Sequence, residues 1–91
     1  MYYAAMHGHK DAVRVLLNTG SKPNVQTESD GSTPLHAAAR RHFKEVVQIL
    51  IEGGADPTKA DWDGKTPLYW AERGGHSEVI TLLRSITNAV R

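Results

Sequence analysis

The sequence predicts an all-α fold, a solenoid of stacked helix-turn-helix units that are joined by β-turn loops. The first observation is a repeated phrase: residues 30–43 read DGSTPLHAAARRHF, and residues 63–76 read DGKTPLYWAERGGH. The second is a further copy upstream, in which residues 4–5 correspond to residues 38–39. Self-similarity at a period of about 33 residues is typical of repeat proteins, in which each unit stacks on its neighbours.

The first helix of each unit begins at a Thr-Pro pair. The Thr33 hydroxyl is suited to accept a hydrogen bond from a backbone N–H of the first turn. Pro34 takes the first helical position, where its missing N–H is not needed. The same pair recurs at residues 66–67. We therefore predict short helices over residues 34–41 and 67–73, each followed by a tight turn.

The second helix of each unit carries a wide apolar stripe. In the middle unit the stripe consists of Val46, Val47, Ile49, Leu50 and Ile51. This spacing favours a helix with one buried face, and the glycines at 53–54 end it. Helices of about 8–10 residues are not stable alone in water. Each helix pair must therefore bury its stripe against the neighbouring pairs.

The unit DGSTPLHAAARRHFKEVVQILIEGGADPTKADW resembles the ankyrin repeat, whose motif contains Thr-Pro-Leu-His-x-Ala-Ala and Gly-Ala-Asp. The resemblance covers nearly the whole chain. It implies a single domain over residues 1–91, with a partial repeat at 1–29, a complete repeat at 30–62 and a C-terminal capping repeat at 63–91. It also implies that His36 ties neighbouring turns together through hydrogen bonds.

The two ends of the array differ in polarity. Glu72 replaces Ala39, and Arg84 replaces Ile51. Polar residues on an outward face are what a terminal unit needs, so the third unit is expected to be a cap. At the other end, Met1 aligns with a position inside a first helix. We expect that the chain belongs to a longer array, or that another chain covers its N-terminal face.

Composition excludes several functions. The net charge is +1, which gives no general affinity for nucleic acid or for an anionic membrane. The chain contains no cysteine, which excludes thiol catalysis and fits a cytoplasmic or nuclear location. His7 and His9 lack a supporting carboxylate at metal-binding spacing. Since no nucleophile elbow and no phosphate loop are present either, we predict no enzyme activity, no metal and no cofactor.

Stacked repeats form a concave surface from the turn tips and the exposed side of the first helices. Ankyrin proteins typically bind their partners there. Carried over position by position, the resemblance implies partner contacts at Met6, His7, Ser29, Asp30, Ser32, Arg40, Arg41, Trp62, Asp63, Lys65, Trp70 and Arg73. The arginines are expected to favour an acidic segment of the partner protein.

The two tryptophans leave two interpretations open. Trp62 stands on a polar turn, so it either contacts the partner, as tryptophans at binding hot spots do, or packs across the neighbouring turn at residues 28–30. Trp70 aligns with Ala37, so it either contacts the partner or fills the gap beside that small residue.

The predicted function is therefore a non-catalytic protein–protein interaction module. Two alternatives remain open from the sequence. In the first alternative, the repeats form a structural segment that docks the other domains of a larger polypeptide. In the second, they self-associate through an open N-terminal face that brings Met1, Tyr2 and Tyr3 of two chains together.

Overall fold

Six helices form three consecutive pairs in the computed structural model, which describes residues 1–89 and the side chains of residues 1–86. The pairs are α1 (Tyr2–Met6) with α2 (Lys10–Asn18), α3 (Pro34–Arg40) with α4 (Lys44–Glu52), and α5 (Pro67–Gly74) with α6 (Ser77–Ala89). Residues 1–89 contain no strand. The all-α prediction is confirmed, and both predicted first helices are right to within one residue at their ends.

The helices lie in two layers. Helices α1, α3 and α5 contact one another in sequence and form the first layer, whereas α2, α4 and α6 form the second. Ala5, Ala38 and Ala71 are fully buried. Because their side chains are small, the helices of the first layer lie close together, and the apolar stripes of the second layer complete the core.

Threonine caps begin α3 and α5 as predicted. The Thr33 hydroxyl accepts a hydrogen bond from the N–H of His36 at 3.3 Å, and Nδ1 of His36 accepts one from the N–H of Thr33 at 3.1 Å. The Thr66 hydroxyl accepts a hydrogen bond from the N–H of Tyr69 at 3.4 Å. The cap of α3 is thus reciprocal, because a histidine stands where α5 has a tyrosine.

A left-handed residue reverses the chain inside each pair. Gly8 and Gly75 have φ of +71°, and His42 takes the same place in the second pair with φ of +66°. Non-glycine residues adopt this conformation at a steric cost. The ring of His42 lies edge-on against that of His76, with centroids 4.6 Å apart.

The outward surface of the third pair is polar. Arg84 donates a hydrogen bond to the carboxylate of Glu72, and both residues are exposed. Their counterparts in the second pair are Ala39, which is fully buried, and Ile51, which is half-buried. Across residues 1–89, no helix has both the length and the apolar character needed to cross a membrane.

Candidate partner-binding surface

Two turns of similar sequence precede α3 and α5. The second-unit turn (residues 27–33) closes with a hydrogen bond from the N–H of Gly31 to the carbonyl of Thr27 at 2.9 Å. In the third-unit turn (residues 61–66) the closing hydrogen bond spans one residue fewer, because the N–H of Gly64 donates to the carbonyl of Asp61 at 2.9 Å. The first and second units are related by an offset of 34 residues, and the second and third by an offset of 33 residues. The extra residue therefore lies in the second-unit turn.

Backbone and side-chain hydrogen bonds hold the two turns together. The N–H of Trp62 donates to the carbonyl of Asp30 at 2.9 Å. The side-chain amide of Gln26 donates to the carbonyls of Gly31 and Ala60, each at 3.0 Å. Because the Trp62 bond joins one turn to the other and Gln26 bridges the segments beside them, the tips of the two turns form one continuous edge.

His36 is a further tie between the turns, as the resemblance implied. Its Nδ1 accepts the Thr33 N–H, so its Nε2 carries the proton and donates to the carbonyl of Lys65 at 2.8 Å. Burial of the imidazole lowers the pKa of His36 below its ordinary value, although its hydrogen bond to Lys65 and the charge of Asp61 act in the opposite direction. The ring is therefore a neutral structural link near pH 7.

Trp62 packs on the neighbouring turn and is also exposed. Its indole lies over Gly31, where a Cβ atom would stand 2.3 Å from the ring. Its Nε1 donates to the carbonyl of Glu28 at 3.3 Å. Packing across residues 28–31 is thus observed, yet 60% of the residue remains exposed. The outer face of the indole is free for a contact with another protein.

Asp61 holds the base of the third-unit turn. Its carboxylate accepts hydrogen bonds from the N–H groups of Asp63 and Lys65 at 3.0 and 2.9 Å, and from Nε1 of Trp70 at 2.9 Å. Burial by itself raises the pKa of Asp61, but these three bonds outweigh it and hold the pKa below its ordinary value. The indole bond fixes Trp70 in place at the foot of the turn.

Two cations lie over aromatic rings beside this turn. The Arg40 guanidinium is 4.3 Å from the centroid of the Trp70 ring, and Nζ of Lys65 is 4.7 Å from that of Tyr69. Tyr69 and Trp70 meet edge to face, with centroids 5.1 Å apart. We call these four residues the aromatic–cation layer. Trp70 therefore positions an arginine from the neighbouring helix.

The positive charges of this surface are unpaired in the part of the chain that the structure describes. The ion pairs found there are Lys10–Glu45, Lys44–Glu78 and Arg84–Glu72. None of them includes a cation of the predicted surface, namely Arg40, Arg41, Lys65 and Arg73. Arg41 and Arg73 are exposed at the ends of α3 and α5. The surface thus presents several cations that form no ion pair within the described residues.

Four predicted residues lie at the edges of this surface. Met6 is half-buried at the end of α1, and His7 is exposed beside it. The His7 ring lies 4.4 Å from that of Tyr3, measured between centroids. Ser29 and Asp63 are exposed at the two turn tips. These positions are accessible to a partner, but they are not joined to the aromatic–cation layer by any direct side-chain bond in the described residues.

Two predicted contacts need correction or refinement. Ser32 is fully buried, because the second-unit turn folds over it, so it is not available as a contact residue. Asp30 is half-buried, and its carboxylate accepts hydrogen bonds from the Thr27 hydroxyl at 2.6 Å and the Ser32 N–H at 3.1 Å. These bonds, that of Thr27 first, hold the pKa of Asp30 below its ordinary value. Asp30 is therefore mainly a turn-forming residue.

Sequence reasoning left Tyr69 outside the predicted set. Tyr69 stands at the position that His36 occupies in the second unit, and its ring lies under Lys65. Lys65 lies before the Thr66 cap and not on the helix, so the spacing of helical residues does not predict this contact.

Three helix pairs in two layers, with their turns tied by hydrogen bonds, define a repeat protein of the helical solenoid class. A family model described as ankyrin repeats, in three copies, matches residues 1–90, and the chain belongs to this family. It is also similar to an ankyrin repeat protein of Acanthamoeba polyphaga mimivirus, at 39% identity over 51 residues. That match covers 56% of this chain and 12% of the relative, so the chain spans a small share of the relative's length.

Proposed function

We propose that this chain is a non-catalytic interaction module that holds a partner protein on its concave surface. Ankyrin repeats are generally protein–protein interaction modules. The observation that carries the proposal is the aromatic–cation layer next to the exposed indole of Trp62. The lack of cysteine supports the further proposal that the module works inside the cell, in the cytoplasm or the nucleus.

The layer has the properties of a binding hot spot. Arginine, tyrosine and tryptophan dominate hot spots, because they bury a large area around a fixed polar group. Here the side chain of Arg40 lies over Trp70, and Trp70 is itself anchored on Asp61. A side chain that is already ordered loses less conformational entropy when a partner binds. The layer is therefore better suited to recognition than free surface arginines would be.

The charge of the surface favours an acidic segment of the partner. Arg41 and Arg73 are exposed and unpaired within the described residues, and Arg40 and Lys65 lie between them and the turn tips. Cations at the rim of an interface mainly accelerate association, and their effect is screened by salt. We therefore expect the affinity for the partner to fall as the salt concentration rises.

Charge reversal at the ends of α3 and α5 tests this surface. Arg41→Glu with Arg73→Glu changes two exposed cations that form no ion pair in the described residues, so folding should be retained. The matched control is Arg14→Glu with Lys22→Glu, which makes the same change in net charge at exposed positions outside the surface. Each variant is immobilised, partners are captured from a lysate of the source cells, and the affinity of each captured protein is measured.

We expect the surface variant to lose roughly tenfold or more in affinity for the partner, and the control to stay near wild type. Equal losses in both variants would mean that only overall charge matters. Full retention of binding by the surface variant would contradict the proposed location of the site.

A further inference from the structure

Two aspartates in the chain are followed directly by a glycine, Asp30 in the second-unit turn and Asp63 in the third-unit turn. In an Asp-Gly pair, the backbone nitrogen of the glycine can attack the side-chain carboxyl carbon of the aspartate, because the glycine has no side chain in the way. A C–N bond forms, one water molecule leaves, and the product is a cyclic succinimide. Water then opens the ring at either carbonyl, which gives aspartate or isoaspartate without oxidation or reduction.

The reaction needs a carboxyl group that is able to turn towards the backbone nitrogen of the next residue. The carboxylate of Asp30 is held in place, because it accepts hydrogen bonds from the Thr27 hydroxyl at 2.6 Å and the Ser32 N–H at 3.1 Å. Asp63 is exposed, and within the described residues its carboxylate accepts no hydrogen bond and joins no ion pair. Of the two side chains, that of Asp63 is therefore the one that turns readily.

The surroundings of the two glycines differ in the same direction. The indole of Trp62 lies over Gly31, at 2.3 Å from the place of a Cβ atom, whereas the corresponding place at Gly64 has open space around it. Both glycine N–H groups donate to a backbone carbonyl at 2.9 Å, so these bonds do not distinguish the two turns. At Gly64 this bond must open before the nitrogen can attack, and at Gly31 the indole must also move.

The other aspartates and asparagines with described side chains lack this combination. Asp56 precedes Pro57, which has no backbone N–H to react. Asp61 is buried, and its carboxylate accepts three hydrogen bonds. The side-chain amide of Asn24 is bonded to the backbone of the loop at residues 54–56. The remaining two lie in α2 and precede residues that carry a side chain, namely Asp11 and Asn18.

Ionisation adds to the difference between the two turns. Ring closure expels a carboxyl oxygen as water, so it proceeds more readily from the protonated carboxyl group than from the carboxylate. The hydrogen bonds from Thr27 and Ser32 hold the pKa of Asp30 below its ordinary value. The protonated fraction of Asp30 is therefore reduced, which lowers its reactivity further.

We propose that Asp63 is a site of spontaneous isomerisation to isoaspartate, and that the fold protects Asp30 from the same reaction. Isoaspartate passes the main chain through Cβ and Cγ, which adds one carbon atom to the backbone at the turn tip. The N–H of Lys65, which donates to the Asp61 carboxylate at 2.9 Å, must then shift. The reaction thus alters a turn of the candidate surface, and it does not depend on the identity of any partner.

Prolonged incubation of the folded 91-residue chain tests the proposal. The chain is kept at neutral pH in water labelled with oxygen-18 and is then digested in ordinary water. Mass spectrometry of the peptides locates the incorporated label and separates isoaspartyl from aspartyl forms. We expect label and isoaspartate to accumulate at Asp63 at least about tenfold faster than at Asp30, because the second-unit turn opens less often.

The unfolded chain is the control for the effect of sequence. In urea the fold restrains neither side chain, so Asp30 and Asp63 should react at nearly equal rates. Equal rates in the folded chain, or the same preference for Asp63 in urea as in the folded chain, would overturn the proposal.

Thr27→Val and Thr58→Val form a matched pair of variants. Each removes a hydroxyl that donates to an aspartate at 2.6 Å, but Asp56, the partner of Thr58, precedes a proline and cannot react in this way. In the folded chain, Thr27→Val should raise the rate at Asp30 and leave that at Asp63 unchanged, whereas Thr58→Val should change neither. A rate at Asp30 that stays at the wild-type value in Thr27→Val would contradict the proposed protection.

Amide hydrogen exchange measures the altered tip. In the isomerised chain, exchange at Lys65 should be faster than in the fresh chain by roughly tenfold. The N–H of Thr27, which donates to the carbonyl of Ser32 at 2.9 Å in the other turn, is the control and should keep its rate. Equal exchange at Lys65 before and after isomerisation would contradict the predicted change in the turn.

Discussion

The second unit (residues 30–62) and the third unit (residues 63–89) begin with nearly the same residues in different surroundings. The second unit lies between two helix pairs, whereas the third contacts a pair on one side only within the described residues. Where the second unit has the buried Ala39, the third has the exposed Glu72. The difference shows that the number of neighbours, more than the helix itself, decides which residue a position tolerates.

Giving position 39 the residue of position 72, and the reverse, should produce the largest difference in the free energy of unfolding. Ala39→Glu places a carboxylate in a fully buried site without a partner, and we expect it to lower the free energy of unfolding by about 4 kcal/mol. Glu72→Ala removes one exposed ion pair and should cost less than about 1 kcal/mol. Urea denaturation followed by circular dichroism measures both. Similar costs for the two changes would mean that the third unit is not a terminal cap.

The two turn glycines offer a second matched pair. Gly31 has φ of +74° and lies under the Trp62 ring, whereas Gly64 has φ of +79° and open space around it. Alanine at either position must adopt a left-handed backbone, which costs about 1 kcal/mol. Gly31→Ala also displaces the indole, so we expect it to lower the free energy of unfolding by about 1–2 kcal/mol more than Gly64→Ala.

The Trp62→Ala background isolates the contribution of the ring. In that background nothing from the indole opposes a Cβ at position 31, so the two alanine variants should become nearly equal in stability. A difference that survives the loss of the indole would assign the effect to the longer closure of the second-unit turn instead.

His36 and Tyr69 occupy the same position in the two units, and within the described residues the histidine alone bonds to the next turn, through the carbonyl of Lys65. Burial lowers the pKa of His36 in the folded state from its ordinary value, so the unfolded state binds more protons as the pH falls through that ordinary value. Stability supplied by this site is therefore complete above the ordinary histidine pKa and declines as the pH falls through it. One proton changes the free energy of unfolding by at most about 1.4 kcal/mol per pH unit.

Thermal unfolding between pH 7.5 and 5.5 measures this contribution. That window lies above the range in which Asp30, Asp56 and Asp61 titrate, since their pKa values are lowered. His36→Gln should be less stable than wild type at pH 7.5 and should show a flatter pH dependence. Tyr69→Gln, the matched change in the third unit, should keep the wild-type slope. An unchanged slope in His36→Gln would place the pH dependence elsewhere.

The sequence was sufficient to predict the helix pairs because the same packing problem recurs in each unit. The Thr-Pro caps, the apolar stripes and the alanines between first helices all follow from local rules. The polar residues Glu72 and Arg84 also predicted an outward face for the third unit, because a charge is stable in solvent and costly in a core, and both residues are exposed.

Contacts between neighbouring turns could not be predicted in the same way. Ser32 aligns with the half-buried Lys65, so nothing in its type or position announces that the turn encloses it. The stacking of Arg40 on Trp70 depends on side-chain directions in two units at once. Trp62 packs on the neighbouring turn while its outer face stays exposed. This arrangement also depends on its neighbour, because only a glycine at position 31 leaves space for the ring. The geometry of the candidate binding surface therefore depends on pairs of neighbouring residues, which the repeat pattern does not encode.

The smallest expected effect concerns the turns inside the pairs, where His42 stands at the place of Gly75. The alignment of the units indicates a left-handed turn residue at position 42, since Gly8 occupies the same position in the first unit. Both His42→Gly and His42→Ala lose the ring contact with His76, but only the alanine keeps the left-handed strain. We expect the glycine variant to be more stable than the alanine variant by about 1 kcal/mol in urea denaturation, the reverse of the usual order in helices. Equal midpoints would show that residue 42 relaxes from the positive φ at little cost.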